Sequence, residues 1–299
     1  MPELPDLTVY IETIAAKTVG DPLERVRVAS PFLVRTVDPP LSAAFGKRVL
    51  GLRRVGKRIV FALEDDLFLV VHLMIAGRFR WRERNAPVPK KLGLAGFDFP
   101  RGTLLLTEAS TRKRASLHVV RGEEGLAALD PGGIEPLEID QKAFAEMLRR
   151  ESHTLKRSLT DPHFFAGIGN AYSDEILHRA QLSPTRLTKQ LDDAEMKRLF
   201  KATGVVLREW IERLRAEAKG EIPEKVTAFH DEMAVHGRYG KPCPVCSSKV
   251  QRIVHAENES NYCARCQTGG KLLADRALSR LLREDWPRSL DELEARRGA

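Results

Sequence analysis

Apolar residues recur at helical spacing over residues 5–18. Val9, Ile11, Ile14 and Ala15 form one stripe, and Gly20 ends it. The pattern then shortens to β-rich runs at residues 26–29, 49–55, 59–63, 67–73 and 103–107, with Asp65 and Asp66 placed to turn a hairpin between two of them. Arg78, Arg80, Arg82 and Arg84 alternate with Phe79 and Trp81, so a strand here carries arginines on one face and aromatics on the other. That arginine face is either solvated or directed at a polyanion. Residues 85–102, with three prolines and three glycines, read as a loop. Residues 130–136 read as a linker. Beyond them the pattern is helical, over 141–150, 171–181 and 193–219. Asp192 and Glu195 give the last of these a capping-box start, and Val205, Val206, Trp210, Ile211 and Leu214 supply its apolar stripe. Leu273, Ala277, Leu278, Leu281 and Leu282 make 271–285 a further helix. No internal repeat or low-complexity tract is present.

The 299 residues are enough for two domains with separate cores. Lys plus Arg number 49 and Asp plus Glu 41, a formal charge of +8. With a pI near 9.4 this favours a polyanionic partner. A hydrophobic fraction of 42% and a charged fraction of 30% exclude a mostly disordered chain. No apolar run approaches the roughly 20 residues that span a bilayer. Residues 1–10 lack the basic-then-apolar order of a signal peptide. The expectation is a cytoplasmic protein with no membrane partner.

Four segments can carry chemistry. Cys243-x-x-Cys246 and Cys263-x-x-Cys266 each set two sulfurs on a tight knuckle, and two knuckles close a tetrahedron around one Zn²⁺. Four thiolates leave no open position, so the zinc is structural. The second segment is the start, Met1-Pro2-Glu3-Leu4-Pro5. A small second residue favours removal of Met1, which leaves Pro2 with a secondary amine whose pKa is near 8, partly unprotonated at neutral pH. Such an amine can attack C1′ of a deoxyribose and form an iminium, with Glu3 beside it as an acid. The third is Gly167-Ile168-Gly169-Asn170 before a helix, where backbone N–H groups and the Asn amide suit a phosphate, with Lys156 and Arg157 upstream. The fourth is the basic turn at residues 53–58. Each of the last three also has a plain structural reading: an ordinary N-terminus, a glycine turn between helices, a solvated charge run.

Together these segments resemble the formamidopyrimidine-DNA glycosylase/endonuclease VIII family of bifunctional repair enzymes, over about residues 1–267. Pro2-Glu3-Leu4-Pro5 is similar to the family's start, and Gly56-Lys57-Arg58 to its catalytic-lysine turn. His72-Leu73 followed by Gly77 resembles its His-Leu-Gly-Met-Ser-Gly strand. Gly167–Tyr172 resembles the loop of its helix–two-turns–helix motif, and Val235–Cys243 the lead-in to its zinc finger. The resemblance implies an α+β fold. Residues 1–130 would be a catalytic β-sandwich with a terminal helix, 131–229 a helix–two-turns–helix DNA-binding domain, 230–267 a four-cysteine zinc finger and 268–299 an extension. It implies a monomer acting in the cytoplasm, at the nucleoid, on damaged double-stranded DNA held between the two main domains. Oxidised bases would be removed and the abasic site cleaved by β,δ-elimination. Pro2 would be the nucleophile, Glu3 the acid that helps open the sugar, and Lys57 a phosphate contact near the lesion. His72, Arg112, Lys156, Asn170 and Asn258 would touch DNA.

Some positions depart from the family. Asp6 stands where the family has Glu. The void-filling Met aligns with Ile75, next to Met74. The Asp-Pro-Arg-Arg-Phe-Gly segment is replaced by residues 108–114, which lack the Phe wedge and offer Arg112 for the Arg. The finger's phosphate-gripping Arg is replaced by Asn258, with Arg252 and Arg265 nearby to supply charge. Residues 220–228 do not match the lid over oxidised purines. Residues 267–299 carry seven basic and six acidic side chains, so they read as a packed helix rather than a basic DNA arm. These changes touch lesion recognition and leave the nucleophile intact. Two rival readings remain: an abasic-site lyase or damage-site binder without base excision, and a non-catalytic zinc-ribbon protein that binds nucleic acid.

Overall fold

The computed structural model describes residues 1–224, 230–255, 258–274 and 276–298, with side chains for all of these except 255, 258, 276–278, 297 and 298. The chain forms two compact units. One comprises 1–132 with 209–227, the other 133–208 with 228–299.

The first unit opens with α1 (Leu4–Thr18), whose Leu7, Tyr10 and Ile14 are fully buried. Eight strands follow: β1 (Arg25–Val28), β2 (Val49–Val55), β3 (Arg58–Leu63), β4 (Leu67–His72), β5 (Gly77–Arg82), β6 (Gly93–Phe99), β7 (Gly102–Glu108) and β8 (Ser116–Arg121). They make two four-stranded antiparallel sheets, β1-β6-β7-β5 and β2-β3-β4-β8. Both sheets contribute to one core. Phe61 of β3 stacks on Phe97 of β6 at 6.3 Å, and the edge of Phe79 meets both rings. This is the expected β-sandwich. A short helix, α2 (Gly122–Ala127), closes it, with Leu126 packed on Val60, Phe68 and Val70. Ile222 joins the sandwich core from the returning segment.

One sequence expectation is overturned here. Residues 85–102 are not all loop, because β6 runs through them. Prolines and glycines flank and interrupt the run, yet Leu94, Ala95, Phe97 and Phe99 are buried. At Gly96 an added Cβ would lie 3.1 Å from the Arg27 guanidinium and 3.3 Å from Leu105, so the glycine marks a close strand approach. Asp98, also in this strand, is fully buried and satisfied by Arg25 at 2.9 Å, Arg27 at 2.7 Å and the Thr103 hydroxyl at 2.7 Å.

The second unit is helical around α3 (Gln141–Arg149), α4 (Leu155–Thr160), α5 (Asn170–Ala180) and α6 (Asp193–Ala218), the last passing on into the first unit at Glu209. Asp192 and Glu195 cap α6 reciprocally, at 2.7 and 3.2 Å, as their spacing predicts. The pair α4–α5 is joined by the turns of residues 161–169. Next comes a hairpin, β9 (Gln251–His255) with β10 (Asn258–Tyr262), and the short α7 (Ala264–Thr268). The expected helix over 271–285 is shorter: α8 spans Arg276–Leu282, and α9 (Leu290–Gly298) follows a turn at Trp286-Pro287. Leu272 and Leu290 are buried against Ile253 and Tyr262 of the hairpin, with Leu273 and Leu293 at the margin. The leucines of this region therefore divide between an extended approach and two helices, which a single helical stripe does not anticipate. Among the described residues no helix is long and apolar enough to cross a membrane.

Candidate active site and zinc centre

In the first unit the N-terminus enters α1 in a buried setting. Pro2 is buried, and Glu3, the residue before the helix, is 3% exposed. The Glu3 N–H donates to the Asp6 carboxylate at 2.8 Å, so Asp6 caps the backbone that carries both residues. Burial pushes the Asp6 carboxyl up to about 7, with the Glu3 charge adding to the effect and the Glu3 N–H opposing it. Burial also lowers the pKa of the Met1 terminal ammonium. Glu3 and Asp6 oppose that shift, whereas Arg78 and Lys57 reinforce it. The terminal amine thus lies within electrostatic reach of Lys57, which sits in the tight turn between β2 and β3, where Gly56 takes φ +56°.

His72 ends β4 opposite Arg58. Its Nε2 is enclosed without a partner among the described residues, and burial lowers its pKa to about 4, helped by Arg58, Lys57 and His118. The imidazole is neutral, with its Nε2 enclosed. The turn after it presents Ile75, 59% exposed, while Met74 is half-buried in the left-handed region. Ile75 is therefore the apolar tip. Gly77 closes the turn through its N–H to the Leu73 carbonyl at 2.9 Å, and a Cβ there would fall 2.2 Å from that oxygen. Arg78 donates to the Ile75 and Gly77 carbonyls at 3.1 and 2.6 Å. The rest of the arginine face divides. Arg82 and Arg80 pair with Glu224 at 2.7 and 3.7 Å, and Arg84 pairs with Glu24 at 2.7 Å. Arg112 is exposed on the segment after β7.

In the second unit the glycine turn sets Asn170 at the first position of α5, and the Asn170 amide donates to the Glu259 carbonyl at 2.9 Å. Lys156 comes to the same helix end, but its ammonium bonds the Asn170 carbonyl at 2.7 Å, the Ser173 hydroxyl at 2.8 Å and the Asp174 carboxylate at 2.5 Å. An ammonium has three donors, and all three are engaged within the protein. Lys156 thereby holds the turn that carries Asn170.

Sequence reading missed the acids behind this end. Asp174 is fully buried and also binds His236 Nδ1 at 2.7 Å and the Asn261 N–H at 3.1 Å. Glu175 accepts the N–H groups of Ala234, Val235 and His236 at 2.7–2.9 Å. Two adjacent helical acids thereby tie the approach to the finger onto α5. Their only signal was position, since neighbouring acids in an amphipathic helix do not usually both face inward.

The four cysteine sulfurs converge within 4.8 Å of one another. A tetrahedron of Zn–S bonds about 2.3 Å long needs S···S separations near ~3.8 Å, and Cys243–Cys266 is 3.9 Å while Cys246–Cys263 is 3.3 Å. The donor set fits one structural Zn²⁺ held by Cys243, Cys246, Cys263 and Cys266. His178 Nε2 lies 3.3 Å from the Cys243 sulfur, a neighbour the sequence reading did not single out. The side chain of Asn258 lies outside the described residues, as do residues 225–228 of the segment compared with the lid. The two arginines expected to compensate are engaged. Arg252 pairs with Glu259 at 3.2 Å and lies over Tyr239, and Arg265 pairs with Asp291 at 3.3 Å.

A sandwich with a buried amino terminus, a helix–two-turns–helix and a four-cysteine finger define a class of DNA-repair glycosylase folds. Family models agree along the chain. Residues 1–115 match the formamidopyrimidine-DNA glycosylase N-terminal domain, 133–219 its H2TH domain, and 240–269 the zinc finger found in FPG and IleRS. Formamidopyrimidine-DNA glycosylases of Pelotomaculum thermopropionicum and Thermus thermophilus are each 32% identical, over 89% and 90% of this chain and 99% and 100% of theirs. A Lactococcus lactis FPG mutant complexed with Fapy-dG-containing DNA superposes with a TM-score of 0.78 at 26% identity, covering 89% of this chain and all of that one. The structure of MutM with DNA containing carbocyclic 8-oxo-G does so equally, at 27% identity. The chain belongs to the formamidopyrimidine-DNA glycosylase family.

Proposed function

We propose that Pro2, freed by removal of Met1, is the nucleophile with which this base-excision DNA glycosylase/AP lyase acts on oxidised bases in double-stranded DNA. The observation that carries the reading is the buried start of α1. Pro2 is buried there, and the Met1 ammonium beside it is desolvated and lowered in pKa, a shift that Arg78 and Lys57 reinforce and Glu3 and Asp6 oppose. A proline amine in that setting has a larger unprotonated fraction at neutral pH than an exposed terminus.

The amine nitrogen bonds to C1′ as the C1′–base bond breaks, and the base leaves with a proton. Glu3 protonates the ring oxygen as the sugar opens, which gives an iminium on Pro2. The iminium acidifies the C2′ hydrogens. Loss of one expels the 3′ phosphate, a second elimination expels the 5′ phosphate, and water releases the sugar fragment. Lys57 neutralises a phosphate beside the flipped nucleotide. Asn170 and the N-terminus of α5 face the backbone of the damaged strand, and Lys156 and Asp174 keep that turn in place. Arg112 and Ile75 enter the space the nucleotide leaves. Each step needs one chain and one duplex, so a monomer suffices.

Borohydride trapping tests this. With duplexes carrying an abasic site, 8-oxoguanine or an oxidised pyrimidine, a reduced adduct is expected on the abasic duplex and on at least one lesion. Peptide mass mapping should place it on Pro2, and Pro2→Gly should abolish it. Trapping on abasic DNA alone would favour a lyase without base excision, a reading the altered segment 108–114 suits. An adduct on another residue would remove Pro2 from the mechanism.

A further inference from the structure

We propose that Glu108 is a positioning residue that sets the segment 109–115, so that Arg112 and Ile75 are presented as one void-filling pair. The proposal rests on the base-excision reading given above.

Glu108 ends β7 and is 1% exposed. Both of its carboxylate oxygens lie 3.0 Å from the Arg114 backbone nitrogen, and one also accepts the Ala115 N–H at 3.2 Å. The Lys113 ammonium donates to the Glu108 carbonyl. One residue thus gathers three consecutive residues of the segment. Thr111, Arg112 and Arg114 are exposed, and only Ala115 is buried, so the segment has little apolar anchorage of its own. Its shape depends on the buried acid.

The same residue ties in the neighbouring turn. Glu108 is the register partner of Gly77 across β5 and β7, and the Ala109 N–H reaches the Ala76 carbonyl at 3.4 Å. Ile75 projects from that turn, whose carbonyls Arg78 holds. A guanidinium and an apolar tip therefore leave adjoining loops whose bases are fixed to one another. Turning a nucleotide out of a duplex leaves a stacking void and an unpaired base. An aliphatic wedge fills the former, and a forked donor engages the latter.

The test uses the full chain and a duplex with 2-aminopurine beside the lesion, whose fluorescence reports insertion. Single-turnover cleavage is measured for wild type, Glu108→Gln, Arg112→Ala and the double variant. Hydrogen exchange at the Arg114 and Ala115 amides reports the clamp directly. Glu108→Gln keeps the shape and loses the charge that holds the N–H groups. It is expected to speed exchange at those two amides, leave β7 protected, and slow cleavage about ten- to a hundredfold while reducing the fluorescence step. The double variant should be no slower than Arg112→Ala, because the acid acts through the arginine. A general loss of stability would instead add to the effect of Arg112→Ala, and such additivity overturns the proposal. So does a Glu108→Gln enzyme that cleaves at the wild-type rate. If Arg112→Ala itself cleaves normally, the pair has no void-filling role and the proposal falls with it, whereas the borohydride trap still decides the base-excision reading. Should Glu108→Gln not fold, Lys113→Met removes only the cation on the Glu108 carbonyl. It is expected to show a smaller loss that Arg112→Ala masks, and additivity there overturns the proposal equally.

Discussion

Asp6 is one methylene shorter than the family's residue, yet it has an identifiable task, receiving the Glu3 N–H from inside the fold. Its carboxyl titrates near 3.8 in an open chain and near 7 in the folded one. Below pH 3.8 both states hold the proton. Between the two values only the folded state does, so the contribution of this group to stability declines as pH rises from about 4 to 7, by up to about 4 kcal/mol. Asp6→Asn should flatten that part of the profile. Urea unfolding at pH 5 and pH 8 is expected to show a smaller loss for the variant than for wild type, and parallel profiles would mean that Asp6 ionises normally. At this scale the sequence exposed the four cysteines at metal spacing, whose chemistry is written in their type. The burial of Asp6, Glu108 and Asp174 was not legible, because an isolated acid looks like surface until the fold closes over it.

Among the elements, α5 concentrates the most order. Its N-terminus was visible from Gly169-Asn170, but its inner acids were not. Asp174 holds Lys156 on one side and His236 and Asn261 on the other, so α4, α5 and the approach to the finger share one buried carboxylate. Removing one partner of such a group costs about 3–5 kcal/mol, since the charge left behind stays buried. Asp174→Ala strands the Lys156 and His236 donors instead. It should lower stability by a similar ~3 kcal/mol in denaturant unfolding and speed zinc loss to a chelator. Unchanged zinc retention would show that the finger is held by other means. β3 and β4 were legible as short β-branched and aromatic runs, because both of their faces are buried, and β5 by its alternation of arginines with Phe79 and Trp81. β6 was obscured because its glycines serve close approach, and α8 and α9 because the buried leucines, Leu272 and Leu290, lie before α8 and in α9 while Leu281 and Leu282 are exposed.

For the molecule as a whole, the excess of positive charge pointed to a polyanion without saying where it would bind, and many of those charges are paired internally. Nor does local pattern foretell that residues after α6 return to the sandwich, where Ile222 is buried and Glu224 meets two arginines. The relative from Pelotomaculum covers 89% of the chain, and the remainder is close to the length beyond residue 269, where the finger match ends. In the second unit that stretch covers the hairpin. The Leu273 N–H reaches the Tyr262 hydroxyl at 2.8 Å, and Leu272 and Leu290 bury apolar surface worth about 1.5–3 kcal/mol each. Truncation after Gly269 should therefore lower the unfolding midpoint of the finger and accelerate zinc transfer to a chromogenic chelator. Equal transfer rates would make the extension dispensable to the finger.

Leu290 lies twenty-four residues downstream of Cys266. During synthesis Leu272 follows Cys266 closely, whereas Leu290, which completes the cover over Ile253 and Tyr262, leaves the ribosome well after all four thiolates. Metal capture can therefore run ahead of the completed cover on the hairpin's apolar face, and a nascent chain paused in that interval carries a loaded finger with a half-covered, adhesive side.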